Sequence, residues 1–152
     1  MRRFALIAAA LLAFAPFAAR ADERARDVEA LMGDYIRLWN AHDAHAIWTR
    51  IYRLDAAQPL KSEADLAAEF AALKAQGYDH SDMASAKGCL LTPGTAMAVM
   101  RFSRLKTDGT PIPPKDRATL YILRRFDDGW RITARIGMDA SARLDCTSAV
   151  AR

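Results

Sequence analysis

His80 and Asp82 stand two residues apart in the segment Tyr78-Asp-His-Ser-Asp82. On an extended strand that spacing puts both side chains on one face. An imidazole beside a carboxylate can take up and release a proton near neutral pH. If the face is concave, the pair enters a pocket and could serve a lyase, isomerase or hydrolase. The competing reading is a solvated strand start or a local hydrogen-bond network, because spacing alone fixes no mutual geometry. His42, Asp43 and His45 are all metal-ligand types, but zinc needs three or four convergent donors and no fourth stands nearby. No metal is expected. Ser81 and Ser85 lie in no nucleophile motif, and no glycine-rich phosphate loop exists, so no cofactor is expected either.

Aromatic residues offer a different chemistry. Tyr35, Trp39, Tyr52 and Tyr78 could wall a ligand pocket, their phenols serving as hydrogen-bond donors. Met97 and Met100 alternate to opposite faces of one strand, and Met97 is taken as the pocket-lining one, since methionine adapts to irregular ligands. Arg101, Arg104, Arg124, Arg125, Arg131 and Arg135 crowd the strands. They form either an anion site or charged interface, or a solvated face with aliphatic stems over the sheet.

These residues need elements to hold them. Val28, Leu31, Met32, Tyr35, Ile36 and Trp39 recur at three- and four-residue spacings and predict an amphipathic helix. Asp43 is placed to cap a second helix carrying Ile47, Trp48, Ile51 and Tyr52. Residues 53–61 contain Pro59 and read as a loop or short edge strand. Ser62, with Asp65 three residues on, caps a third helix whose core face is Leu66, Phe70 and Leu73 and whose stop is Gly77.

The period then changes to that of strands, at 78–92, 95–105, 118–126 and 130–138, with turns at Pro93-Gly94 and Asp127-Asp128-Gly129 and a proline-rich loop between the second and third. For the last hairpin, a three-residue loop would pair Phe126 with Trp130, Ile122 with Ala134 and Leu120 with Ile136. That register gathers apolar residues on one face and leaves Tyr121, Leu123, Arg125, Arg131, Thr133 and Arg135 on the other. Three helices before an antiparallel meander make an α+β domain, with helices on one side of a curved sheet.

The N-terminus reads as a leader. Arg2 and Arg3 precede an apolar run from Phe4 to Phe17, and Ala19-Arg20-Ala21 supplies a small-x-small cleavage pattern. The run is shorter than the roughly 20 residues of a membrane-spanning helix. Residues 1–21 are therefore expected to be a signal peptide, and 22–152 a single periplasmic or secreted bacterial domain, not membrane-bound after cleavage. The chain has a formal net charge of +4. Arg2, Arg3 and Arg20 carry most of that excess, so the remaining domain is close to neutral. A nucleic-acid partner would call for a strongly basic domain, and none is expected. Cys89 and Cys146 can pair in an oxidising compartment. The tail after Met138 would have to recross the sheet, and pairing between chains or free thiols stay open.

The order of elements, with "LWNAHDAHAIWTRIY" at Leu38 to Tyr52 and "LYILRRFDDGWRI" at Leu120 to Ile132, resembles the nuclear transport factor 2-like superfamily and within it the SnoaL-like group. The resemblance implies a cone-shaped fold with the sheet wrapped around a pocket under the first helix. It covers isomerases, dehydratases, cyclases, epoxide hydrolases and members without catalysis, so it does not choose a function. The expectation is an exported domain that binds a small apolar or amphipathic molecule in its cone. The alternatives are an acid–base enzyme using His80 and Asp82, and a module that forms a homodimer through the sheet.

Overall fold

The structure is a computed structural model that describes residues 15–53, 62–142 and 146. Residues 54–61 of the loop or short edge strand expected at 53–61, and residues 1–14 of the leader, lie outside the described residues.

Helix α1 spans Ala15–Asn40 and begins before the expected cleavage point. It buries Val28, Met32, Tyr35, Leu38 and Trp39, the apolar stripe expected from spacing, with Leu31 and Ile36 partly buried beside it. Its end is closed by backbone geometry. Asp43 N donates to Leu38 O and His42 N to Trp39 O, with His42 left-handed at φ 54°. This is the Schellman pattern, with His42 where glycine usually stands.

Asp43 then accepts from Ala46 N at 2.8 Å and starts α2, Ala44–Ala46, which runs on as a π-helical turn over Ile47–Ile51. Tyr52 follows in extended conformation and bridges Ile132. Helix α3, Glu63–Ala75, opens with the Ser62/Asp65 capping box and buries Leu66, Phe70 and Leu73. Gly77, at φ 81°, supplies the left-handed residue after it.

The sheet is an antiparallel meander of β1 (Tyr78–Thr92), β2 (Thr95–Lys106), β3 (Arg117–Phe126) and β4 (Gly129–Met138). Register defines its two faces. Gly88, Ala98, Tyr121 and Arg135 form one cross-strand row, and Leu90, Ala96, Leu123 and Ile132 another. Both rows face the helices. Small residues at Gly88 and Ala98 let α1 lie close: a Cβ on Gly88 would stand 3.1 Å from Ala25 O and from a Val28 methyl. Cys89, Met97, Ile122 and Ala134 form a row on the opposite, outer face. Asn40 clips the helix to the sheet. Its Nδ2 donates to Ser81 O at 3.0 Å, and its Oδ1 accepts from Ser81 N at 2.8 Å.

The last hairpin departs from expectation near its turn. Phe126 pairs with Gly129 and Arg125 with Trp130, so Phe126 does not face Trp130. A bulge at Thr133 shifts the ladder by one residue, after which Ile122 pairs with Ala134 and Leu120 with Ile136 as expected. The bulge breaks the strict alternation. Trp130 and Ile132 point to the helices on one side of it, and Arg135 does so on the other. Tyr121 and Leu123 are consequently inward and buried, while Ile136 faces out at 54% exposure.

Cys89 and Cys146 form a disulfide within the chain, their Cα atoms 5.3 Å apart. Cys89 stands on the outer face, and before Cys146 the carbonyls of Ala140 and Ala142 accept from the Arg101 guanidinium.

Candidate functional site

A cavity of about 670 Å³ opens between α1, α3 and the inner face of the sheet. Two further inner rows explain why space remains there. Ala86, Met100, Thr119 and Gly137 lie in register, three of them small, and Met83, Phe102 and Arg117 follow. Tyr35, Ile36 and Trp39 of α1 supply one wall, and Met100, Phe102 and Tyr121 the facing one. Pro114, Met138 and Ala140 stand among the remaining lining residues.

The cavity is not purely apolar. Glu69 of α3, Arg104 of β2, Arg117 of β3 and Arg135 of β4 all line it. Arg135 donates to Glu69 Oε2 at 3.0 Å, and Arg104 lies 3.6 Å from Glu69 Oε1. One carboxylate therefore serves two guanidiniums. Burial works against the charge of Arg135, but Tyr52, Tyr35 and Glu69 outweigh it and hold its pKa above the ordinary value. The guanidinium carbons of Arg104 and Arg135 sit 5.7 and 5.9 Å from the Trp39 ring centre, within cation–π range. Arg117 donates to the carbonyls of Ile112 and Pro113, at 3.3 and 2.8 Å. Burial, followed by the nearby charge of Arg104, lowers its pKa. The Nε atoms of Arg104 and Arg117 are buried and have no hydrogen-bond partner among the described residues.

Behind this end lies a tyrosine cluster. Tyr35 and Tyr52 share a hydrogen bond at 3.0 Å, and the Tyr35 ring meets Tyr121 edge-on at 5.5 Å. Burial raises the pKa of all three well above the usual phenol value. They are neutral donors and acceptors at neutral pH, not bases.

Of the residues singled out in the sequence, Tyr35 and Trp39 line the cavity. Tyr52 is buried behind Tyr35, and Tyr78 is buried with its hydroxyl 2.8 Å from Ser81 Oγ. Met97 is on the outer row, so Met100 takes the place expected of it. Strand parity allowed either methionine, and the inward direction of Gly88 and Ala98 decides between them.

His80 and Asp82 do meet: ring Nε2 is 3.3 Å from Asp82 Oδ1, and Nδ1 is 2.8 Å from Asp79 Oδ2. Asp82 pairs across the ladder with Ser103, while the inward-facing Ser81 pairs with Arg104. The histidine and its two carboxylates therefore stand on the outer face, away from the cavity. His42 ends α1, with its ring 5.3 Å from Phe70, and His45 faces Glu63 at 3.2 Å. Arg135 was expected on the outer sheet face with Arg125 and Arg131; the Thr133 bulge turns it inward.

Sequence reasoning passed over Glu69, Arg117, Tyr121 and Phe102 as site residues. Glu69 had a legible signal, because it stands at helical spacing between the buried Leu66 and Leu73. A charge on a core-facing stripe needs a partner.

No curated protein matches the sequence. Among solved structures, an NTF2-like protein with a cystatin-like fold from Novosphingobium aromaticivorans is similar at 21% identity and a TM-score of 0.56, over 98% of this chain and 97% of that one. A cystatin-like-fold protein from Caulobacter vibrioides is similar at 16% identity and a TM-score of 0.55, over 75% and 89%. An NTF2-like superfamily protein from Salmonella enterica serovar Typhimurium is similar at 11% identity and a TM-score of 0.54, over 80% and 95%. At these identities the likeness concerns the fold. A family model described as NTF2-like protein (DUF6841) matches residues 22–139, and the chain belongs to that NTF2-like family.

Proposed function

We propose that this is an exported domain that binds a small amphipathic organic molecule in its cone cavity. The observation that carries the reading is the two-sided lining. Tyr35, Trp39, Met100, Phe102 and Tyr121 offer apolar and aromatic surface, while Arg104, Arg117 and Arg135 offer charge-assisted donors. Concave sites with apolar walls and a few convergent polar groups are the usual form of small-molecule pockets. A wholly apolar ligand suits this cavity poorly, because it would strip water from the guanidiniums without replacing their hydrogen bonds.

Export is supported by the leader-like N-terminus, by a family match that starts at residue 22, and by the Cys89–Cys146 disulfide. Native mass spectrometry on protein recovered from its host's exported fraction tests both parts. The expected result is a chain beginning at Asp22 that carries a non-covalent adduct released by acid. A chain with intact Met1 would contradict export, and only the bare mass would contradict a resident ligand.

Acid–base catalysis by His80 and Asp82 is a second reading, favoured by the 3.3 Å approach of ring Nε2 to the carboxylate. It would act on a substrate at the outer face, and loss of turnover in His80→Asn would be its signature. Dimerisation through the sheet would use Leu120 and the exposed Ile136 on the outer face. Light scattering would detect it.

A further inference from the structure

We infer that Arg104 and Arg117 form the anion-recognising end of the cavity, and that its ligand is an aromatic or similarly planar molecule bearing an oxyanion, a carboxylate or a phosphate ester. The inference rests on the cavity-binding reading above and names the ligand class.

The geometry follows from register. Phe102 pairs with Arg117, so Arg104, two residues along β2 on the same inner face, is the diagonal neighbour of Arg117. Diagonal neighbours on one sheet face stand about 7–8 Å apart at their Cα atoms, within reach for long side chains to converge. Two partly buried guanidiniums side by side repel each other. Between them they meet one interior carboxylate, Glu69, and Glu69 gives its shorter contact to Arg135. Asp116 and Asp139 also line the cavity but are exposed at its rim, and Asp139 is turned to Ser141, accepting from its N and Oγ. Among the described residues Arg117 has no ion pair, and its two hydrogen bonds go to neutral carbonyls.

The two unsatisfied Nε–H groups sharpen the point. A buried donor without an acceptor forfeits the hydrogen bond that water gave it, so each such group in a native fold calls for an explanation. An oxyanion meeting the edge of a guanidinium would accept from Nε and Nη together, the bidentate arrangement arginine favours. The same anion would relieve the repulsion between the two cations. Beside this end, the rings of Phe102, Trp39 and Tyr121 offer flat surface for an aromatic body. Arg104 already lies over two of those rings, 5.7 Å from Trp39 and 6.0 Å from Phe102. An anionic head and a planar body would therefore be read in adjacent places.

Calorimetric titration with three matched probes tests this: 2-naphthoate, 2-naphthyl phosphate and neutral 2-naphthol. The wild-type protein is expected to bind at least one of the anions about tenfold or more tighter than the naphthol, with added KCl weakening the anion only. Whichever anion binds tighter identifies the head group. Arg117→Gln should erase the preference by weakening the anion far more than the naphthol, and Arg117→Lys should keep part of it. Equal binding of all three by the wild-type protein, or an undiminished preference in folded Arg117→Gln, would overturn the anion site and leave the cavity reading intact. Binding of none would overturn both. If Arg117→Gln does not fold by circular dichroism, the wild-type preference and its salt dependence decide.

Discussion

Glu69 on α3 accepts a hydrogen bond from Arg135 on β4 at 3.0 Å, joining two cavity-lining residues 66 positions apart. Both side chains are about one-fifth exposed, and Arg104 stands on the other carboxylate oxygen. Removing the carboxylate would leave two partly buried guanidiniums without their shared counter-charge. Glu69→Ala is expected to cost about 1.5–3 kcal/mol, read as a lowered midpoint in urea. An unchanged midpoint would show that the contact contributes nothing.

The chain has four tyrosines, and the pKa of each is raised by burial. The native state therefore holds phenol protons that the unfolded chain releases near pH 10. Stability is unaffected below that pH. It falls as pH rises above it, by up to about 1.4 kcal/mol per unit for each phenol kept protonated. Absorbance at 295 nm should show no ordinary phenol titration near pH 10, only a steep transition coincident with loss of circular dichroism. A smooth titration of most tyrosines in a folded protein would refute the buried cluster.

At Gly88 α1 lies close against the sheet, and the Gly88 N–H also donates to Glu29 Oε1 at 3.0 Å. The crowding atoms include the backbone carbonyl of Ala25, which cannot rotate away. Gly88→Ala is predicted to destabilise by about 1–3 kcal/mol although alanine suits a strand no worse than glycine. A gain in melting temperature would show that α1 stands further off.

The disulfide closes a loop between residues 57 positions apart and holds the tail against the outer face. Cys146→Ser should lower stability by up to about 4 kcal/mol, the chain-entropy value for a loop of that size. Its check is a melt of the variant beside the wild type, with and without reductant. If reductant shifts neither protein and the two melts coincide, the tail adds no constraint.

The helices were legible because each carries its own local evidence. The stripe from Val28 to Trp39 repeats at helical spacing, and Ser62 and Asp65 announce a cap that forms as read. Strand limits were legible from turn residues, but strand faces were not. One unpaired residue at Thr133 reverses the alternation along β4, and a bulge leaves no mark in an alternation already mixed with arginines. That hid Arg135 and Tyr121 from the site and made the cavity read as apolar. Met97 was misplaced for a related reason. Parity separates it from Met100, but only the small residues against α1 show which face is inside.

Met100 lines the cavity while Met97, three residues away, lies on the other face of the sheet. Carbon-13 labelling of the methionine methyls lets both be watched in one NMR titration with 2-naphthoate. An aromatic ring entering the cavity should shift the Met100 methyl strongly and leave Met97 in place. A saturating titration that moves Met97 and spares Met100 would contradict the account.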